Sequence, residues 1–98
     1  MNTPNKKALY SKASLKRASR HSFLNEQAIK ASEKVGCYSC CKVYPSDQVK
    51  DWITERSGGK TAICPHCRVD AVLRSRSGYP LTPDKFLSAM EAYWFNYH

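Results

Sequence analysis

Two Cys-x-x-Cys pairs, Cys37/Cys40 and Cys64/Cys67, stand 23 residues apart in a chain of 98. A pair with two intervening residues can bend both thiolates around one ion while amides of the turn hydrogen-bond the sulfurs. Two such pairs complete a tetrahedron with Zn–S bonds of about 2.3 Å. The pattern constrains the fold, because the two pairs must meet and the segment between them must leave and return. It also meets a need. A chain this short buries only roughly 60–65% of the surface its unfolded form exposes, so its core is thin and a metal staple matters. Cys37, Cys40, Cys64 and Cys67 are therefore the expected ligands of a zinc ion. Soft sulfur also admits iron, with zinc the commoner occupant. Four unrelated buried or redox cysteines would leave the pairing unexplained, and a redox dithiol needs only one pair. Cys41 follows Cys40 directly and is expected to be a free thiol turned away from the ion, with replacement of Cys40 as ligand the lesser alternative. His66 lies inside the second pair and is expected at the surface or just behind the sulfurs, since four thiolates already fill the shell.

The first twenty residues carry Lys6, Lys7, Lys12, Lys16, Arg17 and Arg20, with no apolar stretch after them of the kind a secretory signal needs. No apolar run approaches ~18 residues, so no membrane span is expected. Both features point to a reducing, cytoplasmic setting, where five cysteines read as metal ligands and not as disulfides. The net charge is +8 and is unevenly spread. Residues 1–34 hold eight Lys/Arg against two Glu, whereas residues 77–98 hold one Lys against one Asp and one Glu. A basic arm on a more balanced body is the footprint of a polyanion binder, here DNA or RNA. A solubilising tail and an acidic protein partner are the competing readings. Lys42, Lys60 and Arg68 flank the cysteines. They can offset the charge near −2 of four thiolates on one Zn²⁺, and they join the six arm residues as candidate nucleic-acid contacts.

Along the chain, residues 1–20 read as a basic disordered arm with a frayed helix around Lys12–Arg20. Residues 21–98 read as the zinc-binding domain. Ser22 is a candidate N-cap for a helix running to about Lys34, with Leu24, Ala28 and Ala31 on one face and Gly36 ending it. Lys42-Val43-Tyr44 suits a short strand, and Ser46 a cap for a short helical segment. Val49, Trp52 and Ile53 are spaced to bury together. Ser57-Gly58-Gly59-Lys60 signals a turn. Thr61-Ala62-Ile63 is expected to enter the second pair as a strand, and Asp70–Arg74 to leave it as a helix or turn. Thr82-Pro83-Asp84 opens the clearest helix, with an N-cap, a proline at the first helical position and an acid near the positive end of the dipole. Phe86, Met90, Tyr93 and Tyr97 then recur at helical spacing, with Leu87 and Trp94 widening the stripe, which reads as core.

No catalytic constellation is visible. Four cysteines close the metal's shell, and neither a Ser-His-Asp arrangement nor a glycine-rich phosphate loop is present. The run Cys37-Tyr38-Ser39-Cys40 … Trp52-Ile53 … Thr61-Ala62-Ile63-Cys64-Pro65-His66-Cys67 … Asp70, continued by Ser77-Gly78-Tyr79-Pro80-Leu81-Thr82 and Tyr93-Trp94-Phe95, resembles a family of small uncharacterised bacterial cytoplasmic proteins. The family's Gly-Ile-Asp-Ser after the second pair is Arg68-Val69-Asp70-Ala71 here. That resemblance implies a fold and a metal, and no activity. A weaker likeness is to treble-clef domains of phage HNH recombination endonucleases, whose cleavage would need a histidine base and a second metal site between the pairs. Residues 41–63 contain no histidine. The expected architecture is α+β: a small treble-clef-like zinc domain with a β-hairpin, a flanking N-terminal helix and a C-terminal aromatic helix. Its expected role is non-enzymatic nucleic-acid binding. The second reading is a protein-binding adaptor or inhibitor using Tyr38, Tyr44 and Tyr79, and the third an HNH-like nuclease.

Overall fold

The structure is a computed structural model, and it describes residues 11–74, Leu81 and residues 85–95. Among these residues it is α+β, with three α-helices and two small antiparallel sheets. Helix α1 spans Lys12–Ser19. Ser11 caps it, its hydroxyl accepting from the Ser14 amide at 3.2 Å, and Lys16 and Arg17 in the last turn suit the negative end of the dipole. Leu15 and Ala18, three residues apart, form its buried side. The folded body therefore begins within the stretch expected to be a disordered arm, because these two side chains have core to cover; residues 1–10 lie outside the described residues.

A 3₁₀ turn, Arg20–Ser22, leads to helix α2, Glu26–Lys30. This helix is shorter than the expected Ser22–Lys34 and has a different start. Ser22 caps nothing: its hydroxyl donates to the Ser19 carbonyl at 2.6 Å and pairs with the Tyr38 hydroxyl at 3.2 Å. Leu24 breaks the helix with φ +51°, its amide donating to Thr61 Oγ1 at 2.9 Å. Asn25, nearly fully buried, donates to the His21 carbonyl at 3.0 Å and to the Val72 carbonyl at 2.9 Å, and accepts from the Ala62 amide at 3.0 Å. These partners lie on different elements, and satisfying them overrides the helical pattern that Leu24, Ala28 and Ala31 suggest. Ile29, not Leu24, becomes the buried residue.

Strands β1 (Lys34–Cys37), β2 (Val43–Pro45) and β5 (Val72–Arg74) form the first sheet, in the order β2-β1-β5. Val35 faces Tyr44 and Arg74 on its two sides, Gly36 faces Val43 and Leu73, and Cys37 faces Val72. Gly36, expected to stop a helix, is an inner-strand residue. A Cβ there would lie 3.2 Å from Leu87 Cδ1 and 3.3 Å from Leu81 Cδ2, so its bareness lets the next layer sit close. The 3₁₀ turn Ser46–Gln48 connects to the hairpin of β3 (Trp52–Thr54) and β4 (Lys60–Ala62). Its loop closes through the Glu55 amide to the Gly59 carbonyl at 2.9 Å, and Gly58 takes φ +104°. Of the trio expected to bury together, Val49 is buried, Trp52 half-buried and Ile53 exposed at 36%, because the last two alternate along a strand. Helix α3, Phe86–Phe95, buries Phe86, Leu87 and Met90 and packs against α1. The expected cap at Thr82-Pro83-Asp84 and Tyr97 lie outside the described residues.

Candidate metal centre

Both pairs are built by one local device. The amide of the first cysteine donates to the carbonyl five residues on: Cys37 to Lys42 at 3.0 Å, Cys64 to Val69 at 2.9 Å. Its carbonyl accepts from the amide four residues on: Cys41 at 2.8 Å, Arg68 at 2.9 Å. Its sulfur accepts from the amide two residues on: Ser39 at 3.3 Å, His66 at 3.4 Å. Closing so tight a loop turns the residue after each second cysteine left-handed, at φ +61° for Cys41 and +66° for Arg68. Glycine adopts this conformation freely, and other residues do so only when the surroundings dictate it.

The device brings the four sulfurs within 4.8 Å of one another. Cys37 Sγ and Cys67 Sγ are 3.6 Å apart, and Cys40 Sγ and Cys64 Sγ 3.8 Å apart. A tetrahedron with metal–sulfur bonds of about 2.3 Å has edges of about 3.8 Å. Two sulfur–sulfur separations match that edge and all lie within 4.8 Å, so the four cysteines are a group that can hold a metal ion. All five are free thiols, and Cys41 is outside the cluster.

The protein around the sulfurs is polarised. Burial drives the Cys37 thiol far up, and it raises Cys40 and Cys41 as well. Burial also acts to raise Cys64. There the Tyr44 hydroxyl and the amides of Cys67 and His66 together outweigh it and leave the thiol at about 7. Tyr44 is a residue that sequence reasoning misplaced. It faces Val35 across β1–β2, and so shares the sheet face of Cys37, two residues along. Its own acidity is suppressed by burial and then by the neighbouring sulfurs of Cys64, Cys37 and Cys40. Among the described residues its hydroxyl is the one buried side-chain polar atom with no partner of hydrogen-bond geometry. A buried hydroxyl that lies beside the Cys64 sulfur without full hydrogen-bond geometry fits a centre whose sulfurs are thiolates, because a metal-bound thiolate is a good acceptor for it.

His66 stays outside the sulfur cluster. It is exposed, its Nε2 lies 3.0 Å from Gln48 Oε1, and its ring packs edge-on against Tyr44 at 4.8 Å between centroids. Tyr38 and Tyr44, expected on loops for a protein partner, are 6% and 5% exposed, so neither offers that surface. Both are consumed by packing, Tyr38 against Ser22 and Phe95, Tyr44 beside the sulfurs. Tyr79 lies outside the described residues.

The basic residues expected to bind polyanions come from separate places. Lys12, Lys16, Arg17 and Arg20 are exposed on α1 and the turn after it, Lys42 follows the first pair, and Lys60 opens β4. Arg68 is exposed and already paired to Asp51, Nη1 to Oδ2 at 2.8 Å. Lys6 and Lys7 lie outside the described residues. The segment after the second pair also differs from expectation. Asp70–Arg74 was the place for a helix or turn, as in a treble clef, and Val72–Arg74 is strand β5, because β1 supplies an open edge for it. No described helix is long and apolar enough to cross a membrane. No protein-family model matches the chain, and neither the curated proteins nor the solved structures contain a match to it.

Proposed function

We propose that this chain is a zinc-stabilised, non-enzymatic module that binds nucleic acid. One observation carries the first half: four cysteine sulfurs within 4.8 Å, with edges of 3.6 and 3.8 Å. Zinc is the natural occupant of such an all-thiolate tetrahedron, and iron is the alternative. Four thiolates leave the ion no open position for a water or substrate, so the metal's role is to hold the two pairs together. The resemblance to small bacterial Cys-x-x-Cys proteins supports the metal and carries no activity with it. A treble-clef relationship would rest on the two pairs alone.

Nucleic acid is supported by the charge of +8 and by the exposed cations of α1. The adaptor reading draws support from a different surface, the exposed Trp94 and Phe95 at the end of α3. An HNH-like nuclease is the least supported, since it would need a histidine base between the pairs. The reducing compartment follows as part of the same proposal, because all-thiolate ligation needs reduced cysteines.

Native mass spectrometry of freshly purified protein should show one zinc per chain, and protein free of both zinc and iron refutes the metal. Oligonucleotide titration at two salt concentrations should give binding that weakens with salt at a slope of about −0.7 to −0.9 per phosphate contact. Absence of binding at low salt would move the reading to the adaptor. With Mg²⁺ or Mn²⁺ added, plasmid DNA and RNA should stay intact; cleavage abolished by His21→Ala or His66→Ala would overturn the non-enzymatic assignment.

A further inference from the structure

One recess on the described surface has no cysteine in its lining. It is a groove of about 370 Å³ lined by Lys30, Ser46, Asp47, Val49, Lys50 and Trp52. Lys30 closes helix α2, Ser46 and Asp47 belong to the 3₁₀ turn, and Trp52 begins β3. The Lys30 ammonium sits over the Trp52 ring, 5.4 Å from its centroid. Trp52 is half-buried and lines the groove, so part of it is held in the fold and part is open to solvent, with the Lys30 cation on its flexible stem over the ring. Lys30 is also tied to Glu26 at 2.9 Å, but its side chain is 62% exposed, and such a pair costs little to rearrange. Lys50 is exposed on the same groove, and Lys60 lies near enough to Glu26 to act on its carboxylate.

We propose that this groove receives one nucleotide of a single-stranded nucleic acid, the base stacking on Trp52 and the flanking phosphates meeting Lys30 and Lys50. The inference rests on the nucleic-acid reading above and assigns it a site on the folded body. An aromatic ring with lysines in the same groove is the combination that recognises single strands without regard to sequence: every base has a π-face, and every nucleotide brings a phosphate. A duplex keeps its bases stacked on each other and so cannot offer one to Trp52. Lys30 has a place in both states. It lies over the ring when the groove is open to solvent, and it swings to a phosphate when a base takes its position. Asp47 also lines the groove and repels a phosphate placed beside it, so the backbone is expected to meet Lys30 and Lys50.

The test uses the full zinc-loaded chain carrying Trp94→Phe, so that Trp52 is the sole tryptophan. The probes are a 12-residue thymidylate strand, the corresponding duplex and inorganic tripolyphosphate. The thymidylate strand should quench Trp52 fluorescence and bind more tightly than the duplex, with tripolyphosphate binding but quenching weakly. Trp52→Ala, assayed by anisotropy of a labelled strand, should weaken binding by about tenfold. Lys50→Glu and Lys30→Glu, both at exposed positions and each checked for retained fold by circular dichroism, should weaken it and reduce the salt slope. Binding of the strand with unquenched Trp52, unaffected by these three substitutions, overturns the groove and leaves nucleic-acid binding standing. Equal affinity for the duplex without quenching does the same. No binding of either oligonucleotide at low salt removes the wider reading together with this site. Should Trp52→Ala fail to fold, the two lysine reversals decide the question alone.

Discussion

At the scale of single residues, the two left-handed positions after the cysteine pairs are the clearest points of strain. Cys41 at φ +61° and Arg68 at +66° each occupy a conformation that costs a residue with a Cβ about 1–2 kcal/mol relative to glycine, part of which glycine's freer unfolded chain takes back. Cys41→Gly and Arg68→Gly should therefore each stabilise the zinc-loaded protein, by about 0.5–1 kcal/mol, in urea unfolding. Arg68→Gly also removes the ion pair with Asp51, but both partners are more than half exposed and the loss is small. A destabilised Cys41→Gly would assign the Cys41 thiol a bonding role. Tyr44 offers a second residue-scale test. If its hydroxyl donates to the Cys64 thiolate in the loaded centre, Tyr44→Phe should lower zinc affinity by about tenfold in competition with a chromogenic chelator, while the fold is retained. Unchanged affinity would reduce Tyr44 to packing. The sequence made the four ligands legible because Cys-x-x-Cys spacing is a local property that short-range geometry imposes. It gave no sign of Tyr44, whose place depends on the register Val35↔Tyr44, which only the folded sheet defines.

At the scale of elements, the short helix α2 and the strand β1 show where local pattern yields to tertiary demand. Apolar spacing favoured a helix through Lys34, yet Asn25 is drawn into bonds with Ala62 and Val72, and Lys34–Cys37 are needed as the central strand between β2 and β5. The hairpin turns, by contrast, were legible, since Gly58-Gly59 carries its own signal. Asn25 joins β4 of one sheet to β5 of the other, so Asn25→Ala should be costly: it leaves the buried Ala62 amide and Val72 carbonyl without these partners. A loss of about 2–4 kcal/mol is expected in chemical unfolding. A loss under 0.5 kcal/mol would show that the two sheets are joined by other means. Helix α1 belongs to the body on the same grounds. Leu15→Ala should cost about 2–3 kcal/mol in chemical unfolding. A loss under about 0.5 kcal/mol would return α1 to the status of an appendage.

At the scale of the whole molecule, strands far apart in sequence share one sheet beside the cysteine cluster. β1 pairs with β2 nearby in sequence and with β5 far along it, and β5 follows the second cysteine pair, whose sulfurs lie against those of the first. The cysteine cluster also has an inner and an outer side. Cys37 and Cys64 are wholly buried, while Cys40 and Cys67 are half-exposed. A bound ion therefore has one direction of exchange with the medium. An attacking chelator or alkylating reagent meets the sulfurs of Cys40 and Cys67 first, and the other two come within reach only when the sheet opens behind them. Pulsed iodoacetamide labelling during zinc withdrawal should mark Cys40 and Cys67 early and Cys37 and Cys64 late, with Cys41 giving the rate of a thiol outside the cluster. The order of labelling would then measure, one sulfur at a time, how the ion is let go.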